Sequence, residues 1–184
     1  MSTRRQAREW ALQMIFELDA NPDADRPLDR VFDDFWTGLR RLEPNRPVGP
    51  PDAHAKGFAE ALVRGTLAHR AEIDAKLAAR LRNWTLDRLG SVERAVLRLG
   101  AFELLFASDP APAPVVINEA VDLAKYFGTN ESGRFVNGIL DALARRDRAD
   151  RSRDRARSEV WTPGAAPDSA APAPDAPPPS PPGA

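Results

Sequence analysis

Ser91-Val-Glu-Arg-Ala-Val-Leu-Arg-Leu-Gly-Ala-Phe-Glu-Leu-Leu105 is the stretch on which the fold turns. Val92, Val96, Leu99, Phe102 and Phe106 recur at helical spacing and share one face, and Leu97, Leu104 and Leu105 widen it. A helix with so broad an apolar surface has to be covered on several sides, which makes it the central element of a helical protein. Upstream, Ala7, Trp10, Ala11, Met14, Ile15 and Leu18 form the single stripe of an amphipathic helix that Ser2 or Thr3 can cap and Asn21-Pro22 ends. A second helix begins at Pro27 with Leu28, Val31, Phe32, Phe35 and Leu39 inward, and the four prolines of Pro44–Pro51 mark a loop. Asp52 can cap a longer helical region whose inward residues run Phe58, Leu62, Val63, Leu67, Ile73, Leu77 and Leu81.

Downstream, Asp109-Pro-Ala-Pro-Ala-Pro114 reads as a rigid connector. Val116 to Phe127 is then helical through Ile117, Ala120, Val121, Ala124 and Phe127, and Gly128 is placed to stop it. A last helix from about Ser132 turns Phe135, Val136, Ile139, Leu140 and Leu143 inward, with Gly138 allowing close packing. The one β-like patch, Val115-Val116-Ile117, is too short to outweigh the helical period after it, so the fold is predicted to be an all-α bundle.

The final segment is different in kind. Residues 158–184 contain no lysine or arginine, and nine of the chain's 18 prolines fall between Pro163 and Gly183. Such a composition cannot bury enough apolar surface to offset the entropy of ordering it, so 158–184 is predicted to be a disordered Pro/Ala-rich tail. Residues 1–157 form the folded domain, and about 155 residues suffice to bury roughly 70% of an unfolded chain's surface. The net charge of −1 conceals local blocks: Arg4, Arg5 and Arg8 at the start, seven acids from Glu17 to Asp34, and seven arginines against three aspartates from Arg145 to Arg157. Absence of cysteine excludes disulfides and thiolate metal sites. No apolar signal core or run of 18 apolar residues is present, which points to a soluble cytoplasmic protein without a membrane partner.

Catalytic patterns are missing too. The sequence has no P-loop, no glycine-rich dinucleotide turn and no nucleophile elbow, and His54 and His69 lack metal-ligand spacing. No enzyme activity, cofactor or metal is expected. Binding is better supported: Arg4 and Arg8 share a helix face with Arg5 beside them, and guanidinium forks suit phosphate. The same arrangement also describes an ordinary solvated helix face.

Four phrases carry a family resemblance. Arg5-Gln-Ala-Arg-Glu-Trp-Ala-Leu-Gln-Met-Ile-Phe16 resembles the opening helix of the NusB family, and Ser91–Leu105 is similar to its central helix. Val116-Ile-Asn-Glu-Ala-Val-Asp-Leu-Ala-Lys-Tyr-Phe-Gly128 resembles the family's Ile-Asn-Glu-Ala signature, and Ser132-Gly-Arg-Phe-Val-Asn-Gly-Ile-Leu-Asp141 its Phe-Val-Asn-Gly segment. They stand in family order across residues 4 to about 145. The resemblance implies two small packed helical subdomains and no catalysis. It also implies transcription antitermination: binding single-stranded boxA-type leader RNA together with a small-subunit ribosomal protein, called NusE in this role, within the RNA polymerase antitermination complex that promotes ribosomal RNA transcription.

By position, the resemblance assigns RNA binding to Arg4, Arg5, Arg8, Phe16 and Phe135, partner binding to Glu93, and tempering of RNA affinity to Glu131. Each has a structural counter-reading, since a lone helical aromatic is often core and Glu93 can simply favour a helix N-terminus. Three features depart from the family pattern: the initial basic run is short, with Ser2-Thr3 before Arg4; the loop 44–51 finds no counterpart; and Arg145–Arg157 and the Pro/Ala tail lie beyond the family core. That last run either extends the final helix or contacts RNA nonspecifically. Two other functions fit the same helices, a protein–protein scaffold without RNA binding and a stand-alone relative of the RNA-binding domain of ribosomal RNA cytosine methyltransferases.

Overall fold

The central helix is enclosed over most of its length: from Ala95 to Glu103 every residue is buried, including Arg98 and Glu103. The computed structural model describes residues 3–21, 26–42, 52–81, 85–109 and 111–160. Within them lie seven α-helices: α1 (Thr3–Ala20), α2 (Leu28–Leu42), α3 (Ala53–Ala68), α4 (Arg70–Ala78), α5 (Ser91–Leu105), α6 (Ala113–Phe127) and α7 (Asn130–Val160). A 3₁₀ turn, Leu86–Arg88, precedes α5, and no strand occurs among the described residues. The loop 44–51 and the tail beyond residue 160 lie outside them.

Helix ends follow local chemistry. Both the backbone N–H and the side-chain amide of Asn21 donate to the Glu17 carbonyl at 3.1 Å and close α1. The Asp52 carboxylate accepts from the His54 N–H at 3.3 Å and opens α3. The longer helical region expected from Asp52 is divided at His69, which ends α3 and begins α4. The bend lets Ile73 and Leu77 bury fully, and the His69 ring stacks on Phe106 with centroids 4.3 Å apart.

α6 begins at Ala113 rather than Val116, because the Pro112 carbonyl accepts from Val115 and Val116, and Pro114 falls in the first turn, where a missing N–H costs nothing. It stops at Gly128, where a Cβ would sit 2.8 Å from the Ala124 carbonyl oxygen. Thr129 and Ser132 then exchange backbone-to-hydroxyl hydrogen bonds of 3.2 and 3.1 Å to start α7. α7 continues to Val160, so the charged run from Arg145 extends the last helix.

α1 runs antiparallel to α5: Arg8 meets Glu103 late in α5, while Asp19 meets Arg98 and Arg94 nearer its start. α1, α2 and α3 form one group, and α6 and α7 pack with α5 as the other; α5 touches both groups and joins them through one core. α2 closes the first group with Val31, Phe32 and Trp36; the Trp36 ring meets Trp10 edge-on at 5.2 Å, and its N–H donates to Glu60 at 2.7 Å. Close approach of helices falls on glycines other than the expected one. Gly65 lies under Phe102 and Gly100 against Leu140, whereas Gly138 is exposed, with nothing within 4 Å of the point a Cβ would occupy.

Candidate nucleic-acid interface

The three N-terminal arginines diverge in the folded protein. Arg4 is about half exposed; it donates to Asp109 at 3.2 Å and lies over the Phe58 ring at 5.4 Å. Arg5 turns toward α6, donating to Asp122 at 3.0 Å, with Glu9 at 3.4 Å and Glu119 at 3.6 Å. Burial works against its charge, but the hydrogen bonds to Asp122 and Glu9 and the field of Glu119 outweigh it and raise its pKa. Arg8 points inward, 3% exposed, and grips Glu103 through three hydrogen bonds of 2.7–3.1 Å. Burial opposes that charge as well, and Glu103 more than restores it.

Arg8 therefore does not present the open guanidinium fork that its place on one helix face with Arg4 suggests. Its guanidinium is spent on holding α1 to α5, because a carboxylate as enclosed as Glu103 requires a cation. A second inner network does the same lower in the bundle, where Arg98 binds Asp74 through two 2.8 Å hydrogen bonds and also meets Asp19, which Arg70 approaches at 3.1 Å.

Phe16, by contrast, is 43% exposed on α1. It stands eleven residues after Arg5, three helical turns, so the two share a face about 16 Å apart along the axis. Phe135, Glu93 and Glu131 come together elsewhere, at the starts of α5 and α7. With Arg88, Leu89 and Thr129 they line an open groove of about 330 Å³. Glu131 is exposed and Phe135 half-buried. Glu93 does not stand free, as its place at a helix start suggests; it is half-buried, one oxygen accepting from the Ser132 hydroxyl and the other folded over Gly90. Its carboxylate thus ties the start of α5 to the start of α7 while still lining the groove.

Some exposed groups escape the sequence reading. Tyr126 is 73% exposed and Val115 44%; they are eleven residues apart on one face of α6, the face that also carries Glu119 and Asp122 beneath Arg5. An apolar residue off the helical period is the available signal for both. Nothing in the pattern marks Phe58 as the ring beneath Arg4 and Arg8. Among the described residues no group of carboxylates and histidines could hold a metal ion, and no helix is long and apolar enough to cross a membrane.

Comparison with known proteins gives one consistent answer. The model of the NusB family matches residues 5–145, which include every candidate site residue except Arg4. The chain is 42% identical to the transcription antitermination protein NusB of Geobacter sulfurreducens over 78% of its own length and 95% of that protein. Identity to the protein of the same name from Elusimicrobium minutum is 36%, covering 78% and 94%. Among solved structures, T. maritima NusB superposes with a TM-score of 0.65 at 34% identity, covering 79% of this chain and 92% of that one. A crystal structure of antitermination factors NusB and NusE in complex with dsRNA gives 0.62 at 29% identity, covering 79% and 98%.

Proposed function

The chain belongs to the NusB family, and from that premise we propose that it is a transcription antitermination factor. It binds boxA-type leader RNA together with a small-subunit ribosomal protein of the NusE type, within the antitermination complex of RNA polymerase. It acts in the cytoplasm by binding and performs no catalysis. The observation that carries the RNA reading is an exposed aromatic ring, Phe16, on the same helix face as Arg5 and on the same helix as the outward Arg4. An aromatic platform near cations suits a strand with splayed bases, where ring stacking supplies affinity and phosphates supply charge contacts. A regular duplex hides the base faces, so single-stranded RNA is the preferred ligand even though one solved relative is crystallised with dsRNA.

Roles then divide by geometry. Arg4 and, by exchanging carboxylates for phosphate, Arg5 contact the backbone, and Arg8 contributes by fixing the helix that carries them. Phe16 and Phe135 offer ring faces. Glu131 repels phosphate near Phe135 and tempers affinity. Glu93, held by Ser132 at the groove, presents a positioned acid to a basic protein partner. The folded domain takes in residues 1–157 and the end of α7 at Val160, followed by a tail that the RNA site does not need.

One observation favours a competing reading, a protein–protein scaffold: all three N-terminal arginines already have carboxylate partners. Fluorescence anisotropy with a labelled boxA-type single strand, with and without the ribosomal protein and against duplex and scrambled competitors, separates the two. The proposal expects binding that the ribosomal protein tightens and salt weakens. Partner binding without any RNA binding would establish the scaffold instead.

A further inference from the structure

The family match ends at residue 145, but α7 continues to Val160. Residues 146–160 add about 22 Å of helix at 1.5 Å per residue. Between positions 141 and 157 this helix carries seven arginines and four aspartates. A charged helix usually balances itself through i,i+4 pairs, and Arg145–Asp141, Arg146–Asp150 and Arg151–Asp147 are such pairs. They do not consume the positive charge. Asp150 is shared by Arg146 and Arg153, and Arg148 makes no ion pair among the described residues. The pairs are also weak ties: Arg151 is 63% exposed, and exposed ion pairs contribute only about 0–1 kcal/mol, so a phosphate can displace the aspartate.

Where the arginines sit is a property of the fold. Arg148, Arg151 and Ser152 face Leu104, Ala111 and Ala113 across an open groove of about 380 Å³. Ala111 belongs to the connector between α5 and α6, two residues after Asp109, and two residues of chain span at most about 7 Å. Asp109 is the partner of Arg4. The start of α1 and the overhang of α7 thus flank one connector from two sides, although they lie at opposite ends of the folded sequence. The groove has an apolar floor and a rim of Arg148 and Arg151 that also carries Asp147, the partner of Arg151; with that aspartate displaced, it matches a ribose or base lying over alkyl groups with its phosphates on guanidinium forks.

We propose that Arg148 and Arg151 form a second RNA-phosphate site, continuous with Arg4 across the α5–α6 connector, that lengthens the RNA footprint beyond what the family domain supplies. The proposal rests on the RNA-binding reading above and adds to it a site, a direction for the strand and a dependence on RNA length.

The test uses the full chain, wild type and Arg148→Gln/Arg151→Gln, with two labelled single strands: a minimal boxA-type RNA and the same RNA lengthened at both ends. Wild type should bind the longer strand more tightly. The double variant should bind both alike, at the wild-type level for the short one. Loss of two single-strand phosphate contacts makes the salt slope shallower by about 1.4, so its deficit on the long strand should shrink about sevenfold between 50 and 200 mM salt. Helicity by circular dichroism should be unchanged, and Asp147→Asn, which removes the competing acid, should tighten the long strand alone. Wild type binding both strands equally, or a variant with wild-type length preference and slope, overturns the proposal while leaving the RNA reading intact. Wild type that binds neither strand overturns both. If deletion of residues 161–184 tightens RNA only when Arg148 and Arg151 are present, the acidic tail competes with RNA for these two arginines, which supports the site.

Discussion

Arg8→Ala distinguishes a strut from a ligand contact. Arg8 and Glu103 are 3% and 5% exposed, and their hydrogen bonds join α1 to the most enclosed part of α5. Without the guanidinium, Glu103 stays enclosed, and Glu119, which approaches the same cation at 4.0 Å, loses part of its compensation. Breaking one side of a buried ion pair costs about 3–5 kcal/mol. In a domain of this size 1 kcal/mol moves the melting temperature by about 2–4 °C, so the variant should melt roughly 6–20 °C below wild type.

The assay is thermal and urea denaturation followed by circular dichroism at pH 7. Arg8→Met/Glu103→Leu should recover much of the loss, because removing both charges leaves neither stranded. A variant that melts like wild type yet loses RNA affinity would refute the strut and return Arg8 to the RNA surface.

Phe16→Ala should weaken binding of a single-stranded boxA-type RNA by about 1–3 kcal/mol, the usual worth of a base stacked on a ring, with the melting temperature nearly unchanged; a large drop in melting temperature with intact RNA affinity would make Phe16 a core residue. Gly65→Ala places a methyl about where the Phe102 ring lies and should destabilise by about 1–3 kcal/mol, whereas Gly138→Ala, in open space within a helix, should stabilise by up to about 1 kcal/mol. Urea midpoints check both, and equal effects would show that the α3–α5 contact is not as tight as the structure has it. Glu93→Lys should weaken the ribosomal partner by a few kcal/mol at most, and it should also lower the melting temperature slightly, since the Ser132 hydroxyl loses its acceptor. Paired titrations against partner and RNA read this out, and full partner affinity would remove Glu93 from that interface.

Periodicity alone makes the chain helical and makes α5 central, because a broad apolar surface has no other way to be covered. It also places the capping Asp52, the stop at Gly128 and the inward residues of α1, α5 and α7, since these depend on neighbours within a turn or two. The same locality explains what it misplaces. Arg8 and Glu103 look like surface residues in a stripe diagram, and only the crossing of α1 over α5 encloses them together. Gly100 and Gly65 carry the tight helix contacts rather than Gly138, because helix approach is set by the partner helix and not by position within one. The break at His69 falls where the chain passes from α3, packed on α1 and α5, to α4, packed on α5 and α7.

The candidate interface divides along the same line. Exposure of Phe16 is legible as an aromatic one step off the stripe, and the arginine cluster as a charge block. Which arginine faces outward is not legible, because that depends on carboxylates from α5, α6 and the connector, between 95 and 117 residues away in sequence. Likewise the composition announces the basic run after Arg145, while its place across a groove from Leu104 and the α5–α6 connector follows from the packing of α7 on α5. Local spacing fixes how each helix turns its faces; long-range packing chooses which charges those faces bury and which they leave to a ligand.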